Sequence, residues 1–274
     1  MNMNKATSTH DTTDISGESG AQHQNIARAA LILEALAGGG QQGLRLIDVT
    51  RITALNKTVA HRGLAGLVAH GLASYEADSA RFFLGDRLFA WVGKSQQRFE
   101  LAERAKPYLD KLADELEDTI YFAIRRGDES VCYGRAEGSF PIKTLTLNIG
   151  DRRPLGIGSG SLAIAAYQDD VEVERLITEY SAARAKYKRA DDLIRDDVKR
   201  ARADGYSLTE GYFIDGMTGV GVPIRNSRGV VVASLSMAAI SRRLEAPRRQ
   251  SIAHRLAEEA ALMEADLQLL FDQI

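Results

Sequence analysis

The sequence predicts an α+β protein in two parts: three helices carrying a two-stranded wing, then, beyond a helical linker, a larger domain built on an antiparallel sheet. Three observations predict it. Apolar residues recur at helical spacing in three runs before residue 70, and two strand-like segments flank an acidic turn directly after them. Later strand-like segments come as hairpins rather than singly between helices, which favours an antiparallel sheet. A length of 274 residues suits two cores better than one.

Residues 1–22 have only Met1, Met3, Ala6, Ile15 and Ala21 as apolar members, too little burial to offset chain entropy, so a disordered tail is expected. Residues 23–85 form the first domain. Ile26, Ala29, Ala30, Leu33 and Leu36 mark a helix that Gly38, Gly39 and Gly40 stop. Leu46, Val49 and Ile52 follow, then a break at Ala54-Leu55-Asn56, then Ala60, Leu64, Leu67 and Val68, which reads as helix, tight turn, helix. Residues 72–75 and 81–84, around Glu76-Ala77-Asp78-Ser79, make the wing. Residues 86–118 are a helical linker in which Pro107, lacking an amide hydrogen, should start a new helix or kink the old one. In residues 119–274, strands are expected at 119–125 and 130–135 around Gly127-Asp128-Glu129, and at 219–225 and 230–237 around Asn226-Ser227-Arg228-Gly229. Helices are expected near 158–167, 171–180, 191–205 and 246–272, and no internal repeat is visible.

Composition excludes several functions. With 45% hydrophobic and 26% charged residues the chain is neither disordered throughout nor collagen-like. Lys plus Arg number 35 against 37 Asp plus Glu, so any nucleic-acid contact must come from a local basic patch. The single Cys132 excludes an internal disulfide and reads as a small buried side chain in a reducing compartment. No run approaches the roughly 18 apolar residues of a spanning helix and no export signal opens the chain, so a cytoplasmic protein with no membrane partner is expected. Asn56-Lys57-Thr58 matches the glycosylation tripeptide but has no meaning outside the secretory lumen. Ser159, Ser161, Glu210 and Asp215 are conceivable catalytic groups, yet beyond residue 70 the one histidine is His254, on an amphipathic helix. No Gly-x-Ser-x-Gly elbow surrounds these serines. We therefore expect no enzyme, no metal site and no cofactor, with a hydrolase-like protein as the alternative.

Between Val49 and Tyr75 there is no Asp or Glu in 27 residues, while Arg51, Lys57, His61, Arg62 and His70 all fall there. A carboxylate against a phosphate backbone is repelled and must also be desolvated, so acid exclusion fits a DNA-facing helix. With Ala60, Leu64 and Leu67 inward, Thr58, Arg62 and Ala65 face outward, flanked by Lys57 and His61. Asn56 is placed as N-cap, Arg62 as a bidentate reader of guanine, and Lys57 and Thr58 as phosphate contacts. His61 reads as a base or phosphate contact, and Arg81 at the wing as a backbone or minor-groove contact. A signalling adaptor that binds protein through the winged helix is a further reading, against which the acid-free helix argues.

The runs Gly43-Leu44-Arg45-Leu46-Ile47-Asp48-Val49 and Thr53-Ala54-Leu55-Asn56-Lys57-Thr58-Val59-Ala60-His61-Arg62 resemble the winged helix-turn-helix of the IclR family of bacterial transcriptional regulators. The likeness continues in Arg81-Phe82-Phe83-Leu84-Gly85, Asp151-Arg152-Arg153-Pro154-Leu155-Gly156 and Asp204-Gly205-Tyr206. It departs where the family usually has Pro at Asn56 and a large aliphatic at Gly63. Gly63 and Gly66 each cost a helix about 1 kcal/mol relative to Ala, which predicts a recognition helix that tightens on DNA.

Pro154 to Ser161 alternates glycine with other residues before the apolar run 162–167. Amides at such a helix start favour a carboxylate or phosphate, or the glycines serve close packing of helix on sheet. The run is neither a P-loop nor a dinucleotide fingerprint. The resemblance implies a profilin-like or GAF-like α+β effector domain that senses a small metabolite, often an organic acid. It places Leu155, Ser159, Gly160, Thr209 or Glu210, Gly219, Ser236 and Ala238 in the pocket. The family's cysteine stands at Gly219 and its serine at Ala238, which predicts a less polar pocket and a larger, aromatic ligand. One recognition helix reads too few base pairs for specificity, so a dimer on a palindromic operator is expected, and the resemblance adds tetramers. Stripes at Ala102, Ala105, Leu109, Leu112, Leu116 and at Ile252, Leu256, Met263, Leu267, Leu270 either supply the contact surfaces or pack within the subunit.

Overall fold

A computed structural model describes residues 19–94, 96–185, 187, 189–211 and 214–274. The chain forms two compact units, the first ending at Gln96 and the second running Gln97–Ile274. Residues 1–18 of the expected tail lie outside the described residues. The first helix, α1 (Ser19–Gly39), begins inside the rest of that tail, so the expected disorder of residues 19–22 is corrected: those residues extend a helix whose later turns are held by burial of Ile32, Ala35 and Leu36.

A 3-10 turn at Gly40–Gln42 leads to α2 (Leu46–Thr53) and α3 (Lys57–Ala69). Ala54 ends α2 at φ 55°, a left-handed turn that reverses the chain for α3. The wing is β1 (Ala73–Glu76) paired antiparallel with β2 (Arg81–Leu84), and α4 (Asp86–Lys94) follows. Ile32, Leu36, Val49, Ala60, Leu64, Leu67 and Ala73 are the buried core of this unit. Gly63 is explained by that core. A Cβ there would stand 2.5 Å from Ile32 Cδ1, so the Ile32 side chain occupies the space a larger residue would fill.

All but the first residue of α5 (Gln96–Leu116) belongs to the second unit, and the helix runs through Pro107 without ending. Of the two expectations at Pro107, a new helix or a kink in the old one, the new helix is thus corrected. Burial of Leu101, Ala105, Leu109 and Leu112 along one face offsets the roughly 3 kcal/mol an internal proline costs. Then come β3 (Thr119–Arg126), β4 (Glu129–Glu137), β5 (Arg152–Pro154), α6 (Ser159–Ala166), α7 (Asp170–Glu179), α8 (Ser181–Ala185) and α9 (Asp191–Asp204). The chain closes with β6 (Ser207–Glu210), β7 (Met217–Arg225), β8 (Val231–Ile240), α10 (Ala246–Asp266) and α11 (Gln268–Phe271). One antiparallel sheet has the order β5-β4-β3-β8-β7-β6. The edge strands β5 and β6 were not expected; three and four residues are too few to show a period.

The sheet's faces differ because strand side chains alternate. Ile120, Phe122, Ile124, Val220, Val222, Leu235 and Met237 pack with Ala105, Leu109, Leu112, Ile252, Leu256 and Met263 of α5 and α10. The buried positions of both apolar stripes are therefore spent inside the subunit, the packing that the sequence left open beside oligomer contact. The other face carries small and hydroxyl residues, Gly219, Gly221, Ser234 and Ser236, under α6.

Candidate functional site

In the first unit, Asn56 Oδ1 accepts from Val59 N at 2.9 Å and caps α3. Lys57, Thr58, His61, Arg62 and Ala65 are exposed. Lys57, the first residue of α3, adds its charge at the positive end of the helix dipole. The helix stands as a ridge between two depressions. A groove of about 870 Å³ is lined by Arg45, Thr50, Lys57, His61, Tyr75 and Phe82 among others; across the ridge, one of about 510 Å³ is lined by Arg28, Arg62, Gly66 and His70. Arg45, the N-cap of α2, and Thr50, within α2, line the larger groove without having been singled out as contact residues from sequence.

The remaining two cations are partly committed. Arg51 Nη2 donates to Asp48 Oδ1 at 3.1 Å while staying exposed. Arg81 Nη1 donates to the carbonyls of Gln42 and Gly43, each at 3.0 Å, so it fastens the base of the wing. A backbone or minor-groove contact through that nitrogen would break both bonds.

In the second unit, a cavity of about 60 Å³ lies between the start of α6 and the hydroxyl face of the sheet. Ser159, Gly160, Thr209, Gly219, Ser236 and Ala238 all border it. Leu155 and Glu210 do not. Leu155 packs with Ile164, Ala165, Leu176 and Val231 on the far side of α6. Along β6 Thr209 is buried and the next residue, Glu210, points outward to pair with Arg249.

The start of α6 approaches the sheet as closely as its glycines allow. A Cβ on Gly160 would be 2.9 Å from Ser236 Oγ and 3.0 Å from Ser234 Oγ; one on Gly219 would be 2.6 Å from Ser159 Oγ. Gly158, at φ 90°, is the N-cap and supplies no side-chain bond, leaving the first amides of α6 without a capping group. Arg153 also borders the cavity, donating from Nη2 to Thr146 O at 2.5 Å, and burial pulls its guanidinium below its ordinary pKa. Tyr121 lines it from β3, its phenol pushed upward by burial. Arg153 was quoted from sequence only inside a motif; nothing in a single strand-like triplet shows that its side chain turns inward. The volume runs against a large ligand, since an engineered cavity that accepts benzene measures about 150 Å³.

Cys132 is buried, and burial pushes its thiol up to about 11. Among the described residues no cluster of metal-ligating groups occurs and no helix is long and apolar enough to cross a membrane.

Family models match both units. The model for the IclR helix-turn-helix domain covers residues 25–77, and that for the bacterial transcriptional regulator IclR C-terminal domain covers residues 93–264. The HTH-type transcriptional regulator KipR of Bacillus subtilis is 23% identical over 219 residues, 79% of this chain and 87% of its own. BhcR of Paracoccus denitrificans, also an HTH-type transcriptional regulator, is 24% identical over 237 residues, 86% of this chain and 84% of its own. Among solved structures, the Thermotoga maritima IclR superposes with a TM-score of 0.71 at 18% identity, covering 90% of this chain and 99% of that one. An IclR homolog from Microbacterium hydrocarbonoxydans, solved with 4-hydroxybenzoate, gives 0.67 at 21% identity over 89% and 99%. These relatives are regulators and not enzymes, and the matched helix-turn-helix domain contains α2 and α3. With its models matched across most of its length, this chain belongs to the IclR family of bacterial transcriptional regulators.

Proposed function

We propose that the protein is a cytoplasmic regulator that grips a palindromic operator through α3 of each subunit and releases or tightens that grip when a small carboxylate enters the cavity beneath α6. The observation that carries the ligand class is the convergence of Arg153 and the uncapped amides of α6 on one small cavity. A carboxylate takes charge-assisted hydrogen bonds from both. The hydroxyls of Ser159, Thr209 and Ser236 are placed to bind a keto or hydroxyl oxygen beside it. A volume of about 60 Å³ favours acids of few carbons. The 4-hydroxybenzoate on the Microbacterium homolog supports a second reading, an aromatic acid, which this chain would accept only with its cavity enlarged.

On the DNA side, Lys57 and Thr58 hold phosphates, Arg62 reads a base, and Asn56 fixes the start of the helix; Arg45 and Thr50 line the same groove as Lys57. Arg51, His61 and Arg81 contribute at the margins. Assembly as a dimer or tetramer is supported by Ile26, Leu31, Phe89 and Trp91, large apolar side chains left exposed on α1 and α4.

Footprinting of DNA upstream of the protein's own and neighbouring genes, with and without a panel of small keto, hydroxy and aromatic acids, tests the whole reading. Protection of two half-sites, altered by a small acid, is expected. A footprint indifferent to every acid, with no acid raising the melting temperature, overturns the effector assignment.

A further inference from the structure

We propose that residues 138–147 form a strap that ties the state of the cavity to the C-terminal end of α5; the idea rests on the reading of the cavity as an effector site. The strap is fastened at both ends. At the cavity end the Tyr121 hydroxyl accepts from Thr146 N at 3.1 Å and donates to Thr144 O. Thr144 Oγ1 donates to Ala238 O at 2.8 Å, and Arg153 holds Thr146 O. Each of these side chains borders the cavity, so the strap is one of its walls.

At the other end, Gly138 N donates to Asp118 O at 3.2 Å and Phe140 N to Glu117 O at 2.9 Å. A Cβ on Gly138 would lie 2.1 Å from the Glu117 carbonyl carbon, so only glycine permits this approach. Arg243 lies over the Phe140 ring, 3.9 Å from its centroid. From that position its Nε donates to both oxygens of the buried Asp118, at 3.0 and 2.9 Å, and its Nη2 to Leu116 O, the last residue of α5, at 3.4 Å. Only Pro141, Ile142 and Lys143 separate the two fastenings, and proline removes slack from so short a span.

The junction is also under strain. Glu117 is held at φ 66°, a left-handed conformation that a residue with a Cβ adopts at a cost. Two residues on, the Thr119 hydroxyl is buried without a partner. A second tie reaches the same point: Thr218, on the cavity wall, shares a 2.8 Å hydrogen bond with Ser241, which opens the turn bearing Arg243.

The physical consequence is a pair of alternatives for one segment. A carboxylate that takes Arg153 away from Thr146 O, or a ligand too large for about 60 Å³, displaces the strap at residues 144–146. The displacement is transmitted to Phe140, and the bonds that hold the end of α5 loosen. The ligand needs only to bind one arrangement better than the other.

Hydrogen exchange on the full chain without any ligand tests the strap independently of the effector assignment. Tyr121→Phe, which removes one hydroxyl at the cavity end, is expected to speed exchange of the Phe140 amide and the last turn of α5 about fivefold or more. Because coupling is reciprocal, Phe140→Ala should speed exchange of the Thr146 amide. Thr144→Val, a smaller change, should repeat the first result if Tyr121→Phe folds poorly. Changes confined to the neighbourhood of each substitution overturn the proposal. So does uniform acceleration across the sheet, Leu235 included, since that reports lost stability rather than transmission. A parallel melting screen with the acid panel judges the effector reading separately: failure of all acids there leaves the exchange result standing on its own.

Discussion

At the scale of single residues, the same charge does different work at different positions. Lys57, exposed at a helix start, and Arg62, exposed on the outer face of α3, are the cations with the freest geometry on the recognition helix. Lys57→Gln should weaken binding to all DNA sequences about equally and lower the salt slope by about 1, as expected for one lost phosphate contact. Arg62→Gln should instead cost about 1–3 kcal/mol on the preferred operator and relax preference at one base position. Titrations of operator and scrambled duplex at several salt concentrations separate the two; equal losses on both duplexes for Arg62→Gln would remove it as a reader. Gly219 gives the matching experiment in the cavity. Its substitution by Ala puts a Cβ 2.6 Å from Ser159 Oγ and 3.1 Å from Thr209 Oγ1, so both hydroxyls must turn. Stabilisation by a bound acid should fall about tenfold in affinity while the fold survives, since one added methyl strains a packed site by about 1–3 kcal/mol. Thermal shift against acid concentration measures it.

At the scale of elements, α7 is fastened to the β3–β4 hairpin by charge. Arg175 donates to Glu172 at 2.7 Å, to Asp128 in the hairpin turn at 2.5 Å and to Glu179 at 3.0 Å. Hydrogen bonding from Arg175 is the main reason that Asp128 and Glu172 both sit below the usual carboxylate range. A carboxylate held lower in the folded than in the unfolded state adds stability that is complete above its unfolded pKa and disappears as pH falls through the folded one. Melting temperature should therefore drop as pH falls from about 5 to about 3, and Arg175→Gln should flatten that limb by lowering the neutral-pH value by the amount the limb loses, a small one for partly exposed pairs. Parallel acid limbs in parent and variant would assign the acid sensitivity elsewhere. Element boundaries were legible in sequence wherever a start or stop signal existed. Asn56 and Ala54 bracket the turn of the helix-turn-helix as read, whereas Pro107, a local breaker, is overruled by the buried face of α5.

At the scale of the whole molecule, both apolar stripes that looked available for assembly are consumed by the sheet, and the exposed apolar side chains of α1 and α4 remain as candidates. Light scattering at micromolar concentration should find a dimer or tetramer, and Phe89→Glu with Trp91→Glu should shift it toward monomer and weaken operator binding; an unchanged mass would place the interface on other surfaces. By itself the sequence determined the α+β class, the helix-turn-helix with its wing, the hairpin strands and the exposed cations of α3. Those features depend on short-range rules: apolar period, capping and the exclusion of acids from one stretch. Tertiary structure alone decided that Ser159, Gly160, Thr209, Gly219, Ser236 and Ala238 meet at one cavity with Arg153 and Tyr121, and that Leu155 and Glu210 do not. It also decided that residues 138–147 lie against both that cavity and the end of α5. The reason is that strand alternation assigns a side chain to a face only once the register with neighbouring strands is fixed, and that register is set by packing between residues far apart in the chain.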